Sequence, residues 1–389
     1  MLFARRKFLT RGMQLLGAAL LPSGLLADLL QGGPTAAGAP QADELIWYSS
    51  RYLTAEMPMD RLNSWITPTK NFFVRNNLLM SEIDLDRWRL RICGEVEKPL
   101  EFTLRDLHQL STASVTNTLE CAGNGRAFFD LQIKAVPWRR GGVGNAVFQG
   151  PRMRDLLEKA GLKSTARHVA FKGLDVVPAG AQEFIRSIPI EKALDPATLV
   201  ASHMNDLPLT PAHGFPARAL VPGWIGSCSI KWLCEIRVLR EEFNGFYMKS
   251  AYRLPLPGSS PRKIRTEALK SLLVKSIIAH PAENSTVVLP PSGVITLLGA
   301  AWAGEHAIKR IEISMNGARA WSPATFNSEQ AKYAWRLWKY DWRPRPGAYV
   351  IQSRATDDAG HVQPAHQRWN ASGYLWNAID RVRVTVQAA

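Results

Sequence analysis

The stretch Thr116-Asn-Thr-Leu-Glu-Cys-Ala-Gly-Asn-Gly-Arg126 carries a single thiol, Cys121, from strand-forming residues into a glycine-rich turn. A thiolate is a soft anionic metal ligand, and glycines beside it let a bulky group approach the backbone where a Cβ would clash. Arg126 would add fixed positive charge for an anion bound beside a metal. The pattern predicts a ligand site, although an isolated cysteine is more often a core residue.

A second segment combines three potential cations with a glycine-containing loop. It runs from His213-Gly-Phe-Pro-Ala-Arg218 through Val221-Pro-Gly-Trp-Ile-Gly-Ser-Cys-Ser-Ile-Lys231-Trp232. A phosphate is bound well by a bidentate arginine, a lysine point charge and backbone donors such as those of residues 226–229. Each cation alone would more often be a solvated surface charge, but together they predict an anion site.

These two segments resemble a known family. Leu119-Glu-Cys-Ala-Gly-Asn-Gly-Arg126 is similar to the molybdenum-binding motif of the sulfite oxidase family, and the second segment resembles that family's pterin-binding segment. The resemblance implies a molybdopterin cofactor whose molybdenum is bound by Cys121. It also implies that the pterin and its phosphate are held by four residues: His213, Arg218, Ser229 and Lys231.

A third resemblance lies upstream, in Phe72-Phe-Val-Arg-Asn-Asn77, which is similar to the family pattern Phe-Phe-x-Arg-Asn-His. It implies that Arg75 lies in the substrate and pterin site and that Asn76 and Asn77 contact the cofactor. Asn77 stands where the family has histidine, which removes a titratable donor and leaves the substrate preference open.

Three further residues follow from the resemblance. Tyr252 matches the active-site tyrosine, whose phenol can donate to an oxyanion or relay a proton. Trp138 lies near the position of an aromatic wall of the substrate pocket. Asp175 either faces the pterin or caps a turn. Arg75 and Arg126 are the residues expected to hold an anionic substrate.

Residues 1–40 have the features of an export signal. Arg5-Arg6-Lys7-Phe8-Leu9 precedes an apolar stretch over residues 13–21 and then a region rich in small residues and proline. This order predicts a cleaved twin-arginine signal, which exports proteins already folded around a cofactor. A membrane anchor or an amphipathic helix is the alternative, but glycines and a proline interrupt the run. We therefore expect a periplasmic protein.

Composition limits the remaining classes. The chain has 389 residues and a formal net charge of +15. Because the charge is spread along the chain, it does not indicate a nucleic-acid-binding tail, but it would help to collect small anions and an acidic partner. No internal apolar run has the length of a membrane span. No Cys-x-x-Cys-His motif for haem occurs, and Cys93, Cys228 and Cys234 are expected to be buried thiols.

The predicted organisation is an α+β molybdopterin-binding catalytic domain over residues 41–265 and a second domain over residues 270–389. Short strand patterns with turn signals at close intervals predict an immunoglobulin-like sandwich for the second domain. This part resembles the family's dimerisation domain, including the segment Trp369–Asn377, and implies a homodimer. Ser372 falls where some relatives carry an arginine.

The function implied is periplasmic oxidation of sulfite to sulfate, with electrons passed to an external c-type cytochrome. Three alternatives remain open at this point. The first is a sulfane dehydrogenase-type subunit that acts on carrier-bound sulfur. The second is another molybdopterin oxidoreductase that acts on a small oxyanion, and the third is a non-catalytic scaffold protein built on the sandwich domain.

Overall fold

The structure is a computed structural model that describes residues 44–256 and 265–388. We call these ranges the N-terminal unit and the C-terminal unit. The predicted export signal and most of the predicted linker between the two domains lie outside the described residues. No helix in the described ranges combines the length and apolar character needed to cross a membrane.

Short strands dominate the N-terminal unit. Its strands are β1 Ile46–Ser49, β2 Thr54–Glu56, β3 Leu90–Gly94, β4 Leu100–Phe102, β5 Thr112–Glu120, β6 Val143–Pro151, β7 His168–Gly173, β8 Arg186–Pro189, β9 Leu199–Ala201, β10 His203–Met204, β11 Leu207–Pro208, β12 Arg218–Leu220, β13 Leu233–Leu239 and β14 Arg253–Pro255. Its helices are α1 Leu104–His108, α2 Met153–Ala160, α3 Ile190–Ala193 and α4 Phe246–Lys249. Short 3-10 turns occupy Met59–Arg61, Thr69–Asn71, Arg126–Phe128, Pro211–His213 and Gly226–Cys228.

Two sheets organise this unit. One has the strand order β4-β3-β13-β7-β8, in which only the β3–β13 pair is parallel. The other has the order β11-β10-β6-β5, and its centre is the long antiparallel pair of β5 and β6. Because β5 ends at Glu120, the sheet delivers Cys121 directly to the loop that follows.

Local sequence signals explain the helix ends. Thr103 and Asp106 form a reciprocal capping box at the start of α1, with bonds of 3.2 and 2.8 Å,. The apolar face of α2 is buried, and the helix ends at Gly161, whose φ is +70°,.

The C-terminal unit is a sandwich of two sheets. Its strands are β15 Thr266–Ala268, β16 Lys275–His280, β17 Ser285–Val288, β18 Ile295–Trp302, β19 Ile308–Ser314, β20 Ser322–Pro323, β21 Thr325–Phe326, β22 Arg336–Trp342, β23 Gly347–Asp357 and β24 Asp380–Gln387. The sheet orders are β16-β18-β22-β21 and β17-β24-β23-β19-β20. Alternate residues of β24 are buried, as expected for a strand with one face on the core,. The α+β prediction with a following sandwich is confirmed.

The two units are packed together through buried polar and aromatic contacts. Arg140 Nε donates to both carboxylate oxygens of Asp380, at 2.9 and 3.0 Å. Lys192 pairs with Glu305 at 2.7 Å. The β14 strand pairs with β15, so the chain also joins the two units by strand pairing.

All four cysteines lie in the described ranges and are free. Cys228 is buried as expected. The expectation was wrong for Cys93 and Cys234, which are only partly buried because they lie on strands β3 and β13 at positions that retain some solvent access.

Candidate active site

A single cavity collects most of the residues predicted from the two motifs. It encloses about 710 Å³, including its opening to solvent. The predicted residues on its wall are Arg75, Asn76, Asn77, Cys121, Asp175, His213, Arg218, Ser229, Lys231 and Tyr252. These residues come from five separate segments of the N-terminal unit, so the fold rather than the chain order brings them together.

Cys121 is fixed by its backbone at the end of β5. Its N–H donates to the Gly142 carbonyl at 2.8 Å, and its own carbonyl accepts from Asn124 at 2.9 Å. Burial raises the pKa of the Cys121 thiol, while the charges of Arg75 and Arg126 act in the opposite direction. Such a thiol loses its proton more readily when a cation, such as a metal ion, compensates the charge of the thiolate.

Arg75 and Tyr252 meet through one amide side chain. Arg75 Nη2 donates to Asn77 Oδ1 at 2.9 Å, and Asn77 Nδ2 donates to Tyr252 Oη at 3.0 Å. Tyr252 has a φ of +54°, a conformation unusual for a residue with a Cβ and often found at functional sites,. Burial raises the pKa of the Tyr252 phenol, which keeps it protonated as a donor.

The other end of the cavity holds two buried cations. Arg218 donates from Nη1 to the His213 carbonyl and from Nη2 to the Ser229 carbonyl, both at 3.0 Å. Lys231 donates to the Ala212 carbonyl at 2.8 Å and to the Asn76 side chain. Burial lowers the pKa of Arg218 to about 10 and holds that of Lys231 well below its usual value. Among the described residues neither cation forms a salt bridge, although the charge of Asp175 acts to raise the pKa of Lys231.

His213 is not the third cation that the sequence suggested. Burial, with Lys231 and Arg218 adding to it, lowers the pKa of His213 to about 3. The imidazole is therefore neutral at neutral pH, and its Nδ1 lies 2.8 Å from Thr210 Oγ1. It contributes shape and a hydrogen-bonding group to the cavity rather than charge.

Unsatisfied groups in the wall match an anionic, polar ligand. Asn76 Nδ2, Arg218 Nε and Ser227 Oγ are buried without a hydrogen-bond partner, although buried polar atoms are normally paired,. Among the described residues of the wall, Asp175 is the single carboxylate, against Arg75, Arg218 and Lys231. The donors and charges present therefore fit a phosphate-bearing group such as molybdopterin, with Cys121 available to its metal.

Comparisons with known proteins agree with this geometry. A family model described as the oxidoreductase molybdopterin binding domain matches residues 77–247, and one described as the Mo-co oxidoreductase dimerisation domain matches residues 266–387. The chain is 31% identical to sulfite oxidase of Arabidopsis thaliana, over 84% of this chain and 90% of that protein. The chain belongs to the sulfite oxidase family of molybdopterin oxidoreductases. Its cofactor is accordingly the molybdenum cofactor.

Two further relatives help to place this member of the sulfite oxidase family. It is 35% identical to mitochondrial sulfite oxidase of Homo sapiens over 87% of this chain, and it spans 65% of the length of that protein. The crystal structure of the sulfane dehydrogenase SoxCD from Paracoccus pantotrophus matches with a TM-score of 0.76 and 26% identity. That match covers 95% of this chain and all of the SoxCD chain.

The residues that would hold the cofactor in this family member divide between the two ends of the cavity. Cys121 would bind the molybdenum, and Arg218, Lys231, Asn76 and the Ser227 hydroxyl would bind the phosphate-bearing part. Asp175 lies in the wall, as one of the two sequence interpretations required. Burial raises the pKa of Asp175 to about 6, and Lys231 opposes this shift.

Two of the predicted site residues, Trp138 and Arg126, lie outside the cavity wall as the described residues form it. The Trp138 side chain is fully buried and packs edge-on against Phe73, which lines the cavity. Arg126 donates to the carbonyls of Ser372 and Val136 at 3.0 and 2.8 Å. It acts on Cys121 through its charge rather than by facing the cavity.

The structure adds residues that sequence reasoning missed. Tyr374, in the C-terminal unit, stacks on Tyr252 with ring centroids 5.3 Å apart and an angle of 10°. The Arg126 guanidinium lies 5.6 Å from the Tyr374 ring centroid. The signal was present in Trp369–Asn377, a segment already matched to the family, but only the tertiary fold places it against the active site. The Ser227 hydroxyl was missed because residues 226–229 were considered only as a source of backbone N–H donors.

Proposed function

We propose that this protein oxidises sulfite to sulfate in the periplasm and passes the electrons to a c-type cytochrome. The observation that carries the proposal is the placement of Arg75, a guanidinium in the same cavity as Cys121, held by Asn77 beside the Tyr252 phenol. A small anion next to the metal ligand would meet one fixed positive charge and one O–H donor. The names of the sulfite oxidase relatives support sulfite as that anion.

The side chains of this chain bind, orient and exclude water. Arg75 offers a charge-assisted bond to a sulfite oxygen, which is stronger in a water-poor cavity. Tyr252 donates to a second sulfite oxygen. Asn77 fixes Arg75 and Tyr252 relative to each other through its hydrogen bonds. Phe73, Phe184 and Leu119 supply apolar wall around them. The molybdenum cofactor supplies the two-electron oxidation, in which sulfite gains an oxygen derived from water and two protons and two electrons are released.

Location and electron acceptor rest on the sequence. The Arg5-Arg6-Lys7-Phe8-Leu9 segment supports twin-arginine export, and folded export suits a protein that receives its cofactor before it crosses the membrane,. The chain has no Cys-x-x-Cys-His motif for attached haem,. We therefore propose that a separate c-type cytochrome accepts the electrons.

The match to a dimerisation domain over residues 266–387 supports a homodimer. Its interface would lie on the C-terminal sandwich. Sedimentation equilibrium of the purified protein should give a mass twice that of the 43.3 kDa chain, less any removed signal. A concentration-independent monomer mass would contradict this part of the proposal.

The proposed activity is tested by sulfite-dependent reduction of a c-type cytochrome by the cofactor-loaded protein. Cys121→Ser should abolish turnover while the pterin remains bound, because the alcohol is a poor replacement for a thiolate ligand. Retained turnover in Cys121→Ser would sink the assignment of the metal ligand. Absence of turnover in the molybdenum-loaded natural sequence would exclude sulfite as the substrate.

Oxidation of carrier-bound sulfur is the second candidate. The match to the sulfane dehydrogenase SoxCD over 95% of this chain favours it, and Ser372 stands where some relatives carry an arginine. This candidate is tested by measuring kcat/KM for oxidation of a persulfide on a carrier protein and kcat/KM for oxidation of free sulfite under the same conditions. A higher kcat/KM for the carrier would replace sulfite as the proposed substrate.

A further inference from the structure

A buried polar cluster surrounds the residue that precedes Cys121. Glu120 is 6% exposed, and its carboxylate accepts three hydrogen bonds. Lys275 Nζ and Asn124 Nδ2 donate to Oε1 at 2.7 and 2.9 Å, and Trp302 Nε1 donates to Oε2 at 2.8 Å. Lys275 and Trp302 belong to the C-terminal unit, so two of the three donors come from outside the unit that carries Cys121.

The cluster reaches the backbone of Cys121 itself. Asn124 Oδ1 accepts from Gly142 N–H at 3.0 Å, and the Gly142 carbonyl accepts from Cys121 N–H at 2.8 Å. Lys275 also donates to the Asn124 carbonyl at 3.2 Å. One ammonium group therefore holds residues on both sides of Cys121, and a continuous path of hydrogen bonds joins it to the cysteine.

The charges of this cluster depend on each other. Lys275 is 2% exposed, with its Nζ 5.7 and 5.4 Å from the ring centroids of Trp302 and Trp376. Removing one partner of a buried ion pair leaves the other charge buried and unpaired, which is strongly unfavourable. The carboxylate of Glu120 would then have to move or recruit a new donor, and the loop that carries Cys121 would move with it.

None of Glu120, Asn124, Lys275 or Trp302 lies in the wall of the cavity as the described residues form it. Their effect on a ligand in the cavity would pass through Cys121. Two more contacts from the C-terminal unit act on the same loop, since Leu375 N–H donates to the Ala122 carbonyl at 2.8 Å and Trp376 packs against Gly125.

We propose that Lys275 is a positioning residue for the metal site, acting through Glu120 and Asn124 to set the orientation in which Cys121 Sγ meets molybdenum. The C-terminal unit is thus part of the metal site and not solely a dimerisation unit. The inference rests on the role of Cys121 as metal ligand in the proposed function. It does not depend on which substrate is oxidised.

The test uses the full-length, cofactor-loaded protein and the variant Lys275→Met, which keeps the chain length and removes the charge. After partial reduction with titanium(III) citrate, without sulfite, the EPR g values of the molybdenum centre report the geometry of its ligands. The rate of molybdenum loss during dialysis is measured in parallel. We expect shifted g values and metal loss faster by on the order of tenfold, as for other groups that orient a metal ligand.

Lys192→Met is the matched control. Lys192 is 7% exposed and pairs with Glu305 of the C-terminal unit at 2.7 Å, so it is also a buried lysine in an ion pair between the units. Its Nζ lies 5.8 and 5.3 Å from the ring centroids of Trp224 and Tyr333, and within the described ranges it forms no hydrogen bond or ion pair with residues 120–126. A general loss of stability would affect both variants, whereas the proposal requires natural g values and natural metal retention in Lys192→Met.

If Lys275→Met does not fold, the variant Glu120→Gln tests the positioning role of the ion pair between Glu120 and Lys275. Glutamine keeps the shape and the acceptor for Trp302 and removes the charge that pairs with Lys275. Shifted g values in Glu120→Gln support the proposal. Natural g values and metal retention in the folded lysine and glutamate variants would overturn it. Loss of turnover in Cys121→Ser with the pterin still bound tests the ligand itself, so failure of the proposed function is distinguished from failure of this inference.

Discussion

Arg75, Asn77 and Tyr252 are joined by side-chain hydrogen bonds, and the asparagine lies between the two functional groups. An amide can accept from a guanidinium and donate to a phenol at the same time, without a change of charge. Asn77 therefore bridges Arg75 and Tyr252 without any change of protonation, whereas a histidine at this position would bridge them only in a suitable protonation state.

Arg75→Met should lower kcat/KM for sulfite by about 10- to 150-fold, because a hydrogen bond to a charged group is worth roughly 1.5–3 kcal/mol. Most of the change should appear in KM if the charge acts mainly on substrate binding. Steady-state kinetics at fixed ionic strength measure this. Arg87→Met, at an exposed position, is the control and should keep natural kinetics. Equal kinetics in both variants would remove Arg75 from the substrate site.

Asp175 gives a pH dependence of stability in the cofactor-free protein. Its folded pKa is raised to about 6, above the ordinary value of 3.8, chiefly by burial. The folded state therefore binds more protons than the unfolded state between these two values. The free energy of unfolding contributed by this group falls as pH rises from about 4 to about 6 and is constant above.

Asp175→Asn should remove that dependence and raise the free energy of unfolding at pH 7. Urea unfolding of the cofactor-free protein at several pH values from 4 to 7 measures both effects. Asp60→Asn, at an exposed carboxylate, should leave the natural pH dependence. An Asp175→Asn protein with an unchanged slope would show that the carboxyl titrates normally in the fold.

At the scale of elements, the decisive feature is the end of β5. The strand pairs with β6 over its whole length, from Thr112 opposite Pro151 to Glu120 opposite Val143. The backbone position of the next residue, Cys121, is therefore fixed relative to the sheet. The turn that follows contains Gly125 with a φ of +90°, which residues with a Cβ rarely adopt,.

Gly125→Ala should destabilise the loop and lower the molybdenum content of the purified protein. The added Cβ would lie 2.7 Å from the Trp376 ring, in addition to the strain of positive φ. Gly317→Ala is the control, because its φ is +73° and a Cβ there meets nothing within 4 Å. Strain alone should cost about 1–3 kcal/mol in both variants. Metal loss in Gly125→Ala but not in Gly317→Ala would assign the effect to the Trp376 contact.

The whole molecule is strongly basic, with a formal net charge of +15. Charge of this size steers association with partners of opposite sign and is screened within about 10 Å at 0.1 M ionic strength. Small anionic substrates and an acidic electron acceptor would both associate faster than neutral ones.

Reduction of an acidic c-type cytochrome should therefore slow as ionic strength rises from about 0.01 to 0.15 M, by on the order of tenfold or more in the association rate. A basic cytochrome should show the opposite trend, and an uncharged quinone should be insensitive. Stopped-flow rates with the three acceptors give the comparison. An acidic cytochrome with a salt-independent rate would rule out steering by net charge.

Local patterns in the sequence account for a large part of this protein. The chemistry of the Cys121 motif and of the 213–232 segment predicted a ligand site with cations for an anion, and their resemblance to the sulfite oxidase family predicted the cofactor. The strand patterns after residue 270 predicted the sandwich, because alternation and turn residues act locally. The helices starting after Thr103 and ending at Gly161 also followed from local capping chemistry.

Which side chains face the cavity depends on tertiary packing. Trp138 is fully buried in the core, whereas the neighbouring Phe73 ring lies on the cavity wall. His213 lacks its expected charge because the fold buries it against Phe72, which is 141 residues away in the sequence, with Lys231 and Arg218 adding to the effect. Tyr374 and Lys275 reach the Cys121 region from the C-terminal unit. Burial and long-range contacts depend on how the chain folds back on itself, and no local pattern encodes them.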